Sequence, residues 1–195
     1  MRIYATLLGL SFMVALAGCV EGPPSGATPD MTFANFEPLA IEAAQIKVVN
    51  NYKPPLQEPN VEHTFRPTPY TAVEKLIKKQ LIPVGKENVL RVVIEDASVV
   101  REELLTSKGF LGTVMQEPSE RLRAKMLLRF ELVNPKAPDI VLGHAEVLAR
   151  RDKTLAAGIS PADRDRAYFG LTEDLMDEVN DGLRSIVKNT FGRKY

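Results

Sequence analysis

Few side chains in these 195 residues are of the kinds that do covalent or metal chemistry. There is one thiol, Cys19, and there are two imidazoles, His63 and His144. Cys19 follows Leu16-Ala17-Gly18 directly, at the end of an apolar run from Ile3 to Ala17 interrupted only by Thr6 and Ser11. Glu21-Gly22-Pro23-Pro24 then stops any helix at once, so Cys19 does not read as the buried end of a core helix. Neither histidine has a cysteine or a second histidine at metal-ligand spacing. No Gly-x-Ser-x-Gly elbow is present, and Gly85-Lys86 lacks the upstream glycine of a phosphate loop. His63 follows Asn60-Val61-Glu62 in a Pro-rich segment, where packing the segment onto the body is its simplest role. A ligand-binding or catalytic centre on that segment is the alternative. His144 lies mid-strand beside Glu146 and reads as a solvated or hydrogen-bonded sheet residue. No catalytic, metal or cofactor site is expected, and the chain does not read as an enzyme.

The start of the chain carries the sharper signal. Arg2 and the amino terminus make a small positive region ahead of the apolar run. About 15 apolar residues are too few for a relaxed membrane span, which needs roughly 20, and match the apolar part of a secretory signal. Leu16-Ala17-Gly18-Cys19 resembles the lipobox of bacterial lipoproteins. That resemblance implies that residues 1–18 are a signal peptide removed by cleavage. Cys19 then becomes the lipidated N-terminus, its thioether carrying a diacylglyceryl group. Lipoproteins of Gram-negative bacteria typically carry three acyl chains, and two or more give a stable anchor where one does not. Residue 20 is Val rather than the Asp that retains such proteins in the inner membrane. The implied destination is the outer membrane, facing the periplasm.

Removing 18 residues leaves 195 − 18 = 177, enough for one domain with a sizeable core. Only Arg2 is lost among the charged residues, so the balance becomes +24 − 25 = −1. A near-neutral chain is not a general nucleic-acid binder. With Cys19 lipidated no disulfide is possible, and stability must come from burial. Residues 19–38, rich in Gly and Pro, read as a flexible tether with an r.m.s. reach of roughly 25 Å. Residues 39–195 read as the single folded domain.

Within that domain Ile41 to Tyr52 holds a first strand, marked by Ile46, Val48 and Val49. Pro54-Pro55 and Pro59 end it, and residues 60–69 are expected extended. Thr68 caps a helix with Pro69 at its first position and Tyr70, Val73, Leu76, Ile77 and Leu81 at helical spacing. Val89 to Val100 alternates as a strand, with Val93 out of pattern. Arg121 to Val133 alternates cleanly, Leu122 to Leu132 on one face against Arg121, Arg123, Lys125, Arg129 and Glu131 on the other. A turn at 134–139 leads into an antiparallel strand from Ile140 to Arg151. Ser160-Pro161-Ala162-Asp163 opens a long final helix, with a break expected at Gly170-Leu171-Thr172. The order β-α-β-β-β-α predicts an α+β two-layer sandwich, a four-stranded, mostly antiparallel sheet with two helices on one face.

Two surfaces stand out. The polar face of the sheet is basic, and Arg121, Arg123, Lys125 and Arg129 are its candidate partner contacts. The segment between the second and third strands is apolar, with Phe110 and Leu111 beside Gly109 and Gly112 as further candidates.

Pro59-Asn60-Val61-Glu62-His63, Val93-Ile94-Glu95-Asp96-Ala97 and Leu171-Thr172-Glu173-Asp174-Leu175-Met176 together resemble a family of uncharacterised Gram-negative lipoproteins. The element order, lipobox and long final helix are also similar to the lipopolysaccharide-assembly lipoprotein that plugs an outer-membrane barrel (the LptE family). ABC-transport auxiliary lipoproteins share the same layout. These resemblances imply a periplasm-facing outer-membrane lipoprotein, a non-enzymatic accessory or binding subunit in envelope assembly or lipid transport. They imply the membrane as one partner, through the anchor, and a barrel or transporter component as another. The alternative is a periplasmic ligand-binding or enzymatic domain centred on the His63 segment.

Overall fold

The computed structural model describes residues 30–104 and 118–192. Residues 1–18, read as a signal peptide, Cys19 and the apolar segment with Phe110 and Leu111 lie outside the described residues. Strands β1 (Leu39–Ile41) and β2 (Gln45–Asn50) come first, then helix α1 (Pro69–Gln80), strand β3 (Leu81–Pro83), and the three long strands β4 (Val89–Glu103), β5 (Pro118–Asn134) and β6 (Ala137–Ala156). Helix α2 (Pro161–Ile186) follows and passes into a π turn, Val187–Phe191. The main sheet has the order β2-β4-β5-β6, with β2 parallel to β4 and the other two pairings antiparallel. The expected two-layer α+β architecture holds. A second sheet of two short parallel strands, β1 and β3, was not expected. The strand expected within residues 41–52 is β2, and β1 lies just before it in the second sheet.

The caps form as their residue types dictate. Thr68 accepts a hydrogen bond from the Thr71 amide at 3.2 Å, and Ser160 accepts one from Asp163 at 3.1 Å. Helix α1 buries Ala72, Val73, Leu76 and Ile77. Helix α2 runs unbroken through Gly170-Leu171-Thr172, where a break was expected. Thr172 instead donates its hydroxyl to the Tyr168 carbonyl one turn back, at 3.0 Å, and stays helical. The segment expected to be extended, 60–69, contains a 3-10 turn, Glu62–Thr64, and its Phe65 ring stacks on Tyr168 at 4.1 Å.

Strand β4 explains why Val93 broke the alternation. Leu90, Val92 and Ile94 point into the core, then a bulge between Ile94 and Asp96 shifts the register by one. From there Ala97 and Val99 take the inward positions. Val93 faces the other side and is buried outside the main core cluster.

Residues 30–38 are not part of a free tether. Met31 and Phe33 are buried in the core, Phe33 stacks on Phe36 at 5.7 Å, and Gln80 donates to the Glu37 carbonyl at 3.3 Å. Asp30 pairs with Lys75 at 2.6 Å and Glu37 with Arg184 at 3.0 Å. Three apolar side chains hold this strap down, and its Gly/Pro-poor composition after Pro29 is the signal that distinguishes it from the residues before. The strap lies beside Glu173, Asp174 and Asp177 of α2, which stay exposed at the rim, and with them lines a cavity of about 380 Å³. Burial and the neighbouring carboxylates raise Glu173 and Asp177 above the usual carboxylate range.

Helix α2 lies along the edge strand β6. Gly182 is where the two touch: a Cβ there would stand 2.5 Å from Val147 Cγ1. Farther along, Glu178 accepts the Arg150 backbone N–H at 3.1 Å and pairs with Arg151, so the helix caps part of the open sheet edge.

Two outcomes follow from these contacts. Gly182→Ala gains about 1 kcal/mol of helix propensity but forces the rigid Val147 aside, at about 1–3 kcal/mol. Its midpoint in chemical denaturation is expected to fall, while Gly143→Ala, whose nearest contact is 3.7 Å from Phe191, stays near wild type. For Asp177 the folded state holds its proton more tightly than the unfolded chain. The resulting penalty is absent below the unfolded pKa and fully present above the raised one, so Asp177→Asn raises Tm at pH 7 and leaves it unchanged at pH 3.

Candidate functional site

The face of the sheet opposite the helices follows from the pleat of β5. Leu122, Ala124, Met126, Leu128 and Phe130 are buried against the helices. The residues between them, Arg121, Arg123, Lys125, Leu127, Arg129 and Glu131, therefore share the outer face. All four expected contact residues of β5 stand together on it. The face is not uniformly basic, because acidic residues from the flanking strand meet most of the cations. Arg123 pairs with Glu102 at 2.7 Å and Lys125 with Asp96 at 2.8 Å. Arg129 bridges Glu95, at 2.5 Å, and Glu131, and Arg91 takes the other Glu131 oxygen at 2.6 Å.

Glu131 is the centre of this network. It is 5% exposed and lies between two guanidinium groups. The hydrogen bond from Arg129 holds the Glu95 carboxyl below the usual range and, with Glu131, raises the guanidinium further. Arg121 has no ion pair among the described residues, so it and the half-exposed Arg123 are the cations most available to a partner. His144 is exposed on this face opposite Glu131 in the register.

His63 occupies a different place, one the sequence pointed to. It lines a cleft of about 280 Å³ with Tyr52, Leu56, Glu62 and Tyr70. Glu62 is buried and fully engaged: Tyr52 donates its hydroxyl to Oε1 at 2.8 Å, and the Val99 amide donates to Oε2 at 3.2 Å. Burial, with the Glu62 carboxylate beside it, pushes the Tyr52 hydroxyl up and keeps it protonated as a donor. His63 Nδ1 is buried with no hydrogen-bond partner among the described residues. Such an atom is left to pair with a polar group a ligand brings, accepting or donating according to the tautomer. The described residues contain no group of three or more His, Cys, Asp or Glu side chains placed to hold a metal ion.

A group of exposed apolar side chains gave no signal beyond ordinary strand periodicity. Ile140, Val141 and Leu142 at the start of β6 are 58%, 44% and 53% exposed. A register shift in the β5–β6 pairing passes over Leu142, and here the strand's alternation stops sorting apolar from polar.

No protein family model matches the chain, and no curated protein matches it. Similar solved structures include rare lipoprotein B from Shewanella oneidensis, 14% identical, covering 74% of this chain and 94% of that one with a TM-score of 0.38. A minor lipoprotein from Acinetobacter baumannii is 10% identical, covering 81% of this chain and 99% of that one, with a TM-score of 0.40. A Xanthomonas campestris protein of the DUF330 family is 8% identical over 79% of this chain and 87% of that one, with a TM-score of 0.33. At these values the likenesses do not place the chain in any of the three families.

The network sorts the arginines by what they leave behind. Arg129→Ala strips the buried Glu131 and the bulge residue Glu95 of a partner and is expected to cost about 2 kcal/mol in urea unfolding. Arg123→Ala breaks an exposed pair and is expected to cost under about 0.5 kcal/mol. Because Glu95 is depressed in the fold, its share of the Arg129 effect is lost as the pH falls through the lowered pKa.

Proposed function

We propose that the protein is a lipoprotein of the outer membrane, anchored through Cys19 and facing the periplasm, that works by binding as a non-enzymatic accessory subunit in envelope assembly or lipid transport. The observation that carries this reading is the Leu16-Ala17-Gly18-Cys19 stretch at the end of an apolar run, set shortly before a packed body. Only the eleven residues from Cys19 to Pro29 separate the thiol from Asp30, which is already paired to α1. Eleven residues span at most about 40 Å, so the body is held close to the leaflet that takes the acyl chains. A protein partner, a barrel or transporter component, meets the outer sheet face through Arg121 and Arg123. Lys125 and Arg129 support that face, and Phe110 and Leu111 offer a separate contact.

A second reading, a ligand-binding domain, is favoured by one observation: the cleft beside His63 and the unsatisfied Nδ1 in its wall.

Replacing Cys19 by Ala is expected to move the protein from the membrane fraction to the soluble periplasm and to abolish its labelling by radioactive palmitate. Unchanged fractionation and labelling would remove the anchor. In cells that need the protein, Arg121→Glu with Arg123→Glu is expected to reduce crosslinking to its envelope partner while His63→Ala leaves it intact. The opposite pattern favours the cleft.

A further inference from the structure

The strand register gathers several chain segments at one end of the main sheet. Gln45, Val89, Val133 and Val141 are successive partners across it. The β5–β6 turn and the loop from Val84 to Asn88 therefore lie at the same end. The last turn of the molecule joins them. Glu42 donates its amide to the Phe191 carbonyl at 3.0 Å, Val84 donates to Ile41 at 2.9 Å, and the Phe191 ring stands against Gly143. Seven large hydrophobic side chains are exposed among the described residues, and five of them, Ile82, Val84, Ile140, Val141 and Leu142, belong to this end. Three consecutive exposed apolar residues on a strand are what a stable soluble fold avoids unless something covers them.

We infer that this end rests in the headgroup region of the same leaflet that holds Cys19, with Ile140, Val141 and Leu142 entering the acyl boundary. The inference rests on the lipoprotein reading and adds to it an orientation. Its occupant is chosen by the length of chain before the described body and by where that body begins. Asp30 lines the same cavity as Asp177, and Asp177 to Phe191 is about 20 Å along α2 and its terminal turn. A link of up to about 40 Å covers that distance, so the anchor and the apolar end can occupy one membrane together. Lys86, Lys136 and Lys188 are exposed around this end without ion pairs among the described residues, placed to meet lipid phosphates. Glu42, Glu87 and Asp139 stand at the same end and offset that charge, so apolar insertion supplies the attraction. Two weak attachments to one surface, acyl chains and side chains, reinforce each other through proximity.

The test removes the lipid so that the apolar end acts alone. The mature chain from Cys19 carrying Cys19→Ser is mixed with vesicles of phosphatidylethanolamine and phosphatidylglycerol and floated on a density gradient. Because the chain has no tryptophan, Leu142→Trp adds a single reporter. Its emission is expected to shift to shorter wavelength on vesicles and to be quenched by brominated acyl chains. Leu148→Trp, exposed on the outer face about 20 Å along the strand, is expected to do neither. Ile140→Ser with Val141→Ser and Leu142→Ser is expected to weaken flotation at least about tenfold with Tm unchanged. Equal flotation of the triple variant, or an unshifted Leu142→Trp, overturns the inference. So does a triple variant that floats normally but loses a crosslinked envelope protein in cells, which assigns the surface to a protein. The Cys19 fractionation experiment fails or succeeds independently, since the protein floated here has no anchor.

Discussion

The rest of the molecule depends on the pleat of β5. This strand is interior to the sheet, paired on both sides, so its alternate side chains have no choice of environment. The even positions from Leu122 to Phe130 meet the two helices and form the floor of the core. The odd positions, Leu127 apart, carry charge into the outer face, where Glu95, Asp96 and Glu102 of β4 meet it. A slip of one residue would bring arginines under α2 and leucines to solvent, a cost no surface ion pair could offset. The register of β4 and β6, the seat of α2 and the composition of the outer face are all consequences of that one alternation.

What the outer face becomes depends on how β4 answers it. Had β4 continued its period, Glu95 would have faced outward and Asp96 inward. The bulge places both on or near the outer side, and both find cations, Arg129 and Lys125. A surface that looks basic along one strand is thus nearly neutral across two. Its central members, Glu131 and Arg129, hold the sheet together rather than await a partner. The same irregularity in β6 has the opposite outcome: at Leu142 the shift leaves apolar groups in solvent.

The sequence carried the caps, the helix faces and the three long strands, because each is written in local periodicity or in a single capping residue such as Thr68 or Ser160. It hid whatever depends on a second segment. The strap at 30–38 follows a Gly/Pro-rich stretch, and beyond its own poverty in Gly and Pro it is Met31 and Phe33 finding the core that sets it apart. The β1–β3 sheet pairs three-residue strands 42 positions apart, too short for any period to show. The neutral character of the outer face needed the pairing of β5 with β4, and the exposed end needed the fold of α2 against β6 to show that Ile140, Val141 and Leu142 remain uncovered. The His63 segment was visible as unusual, but its cleft depends on Tyr52 and Tyr70 arriving from either side.

The two ends of the sheet are therefore not equivalent. At one end β4 finishes at Glu103 and β5 starts at Pro118, with residues 105–117 between them. At the other, the β5–β6 turn, the β3–β4 loop and the terminal turn converge around Phe191. The strands joining them are long, fifteen to twenty residues, and a strand rises about 3.3 Å per residue, so the two ends stand roughly 50 Å apart. If the apolar end lies on the leaflet, the end of β4 at Glu103 and the start of β5 at Pro118 face away from it. The three long strands thus hold the two ends of the sheet at a separation set by strand length.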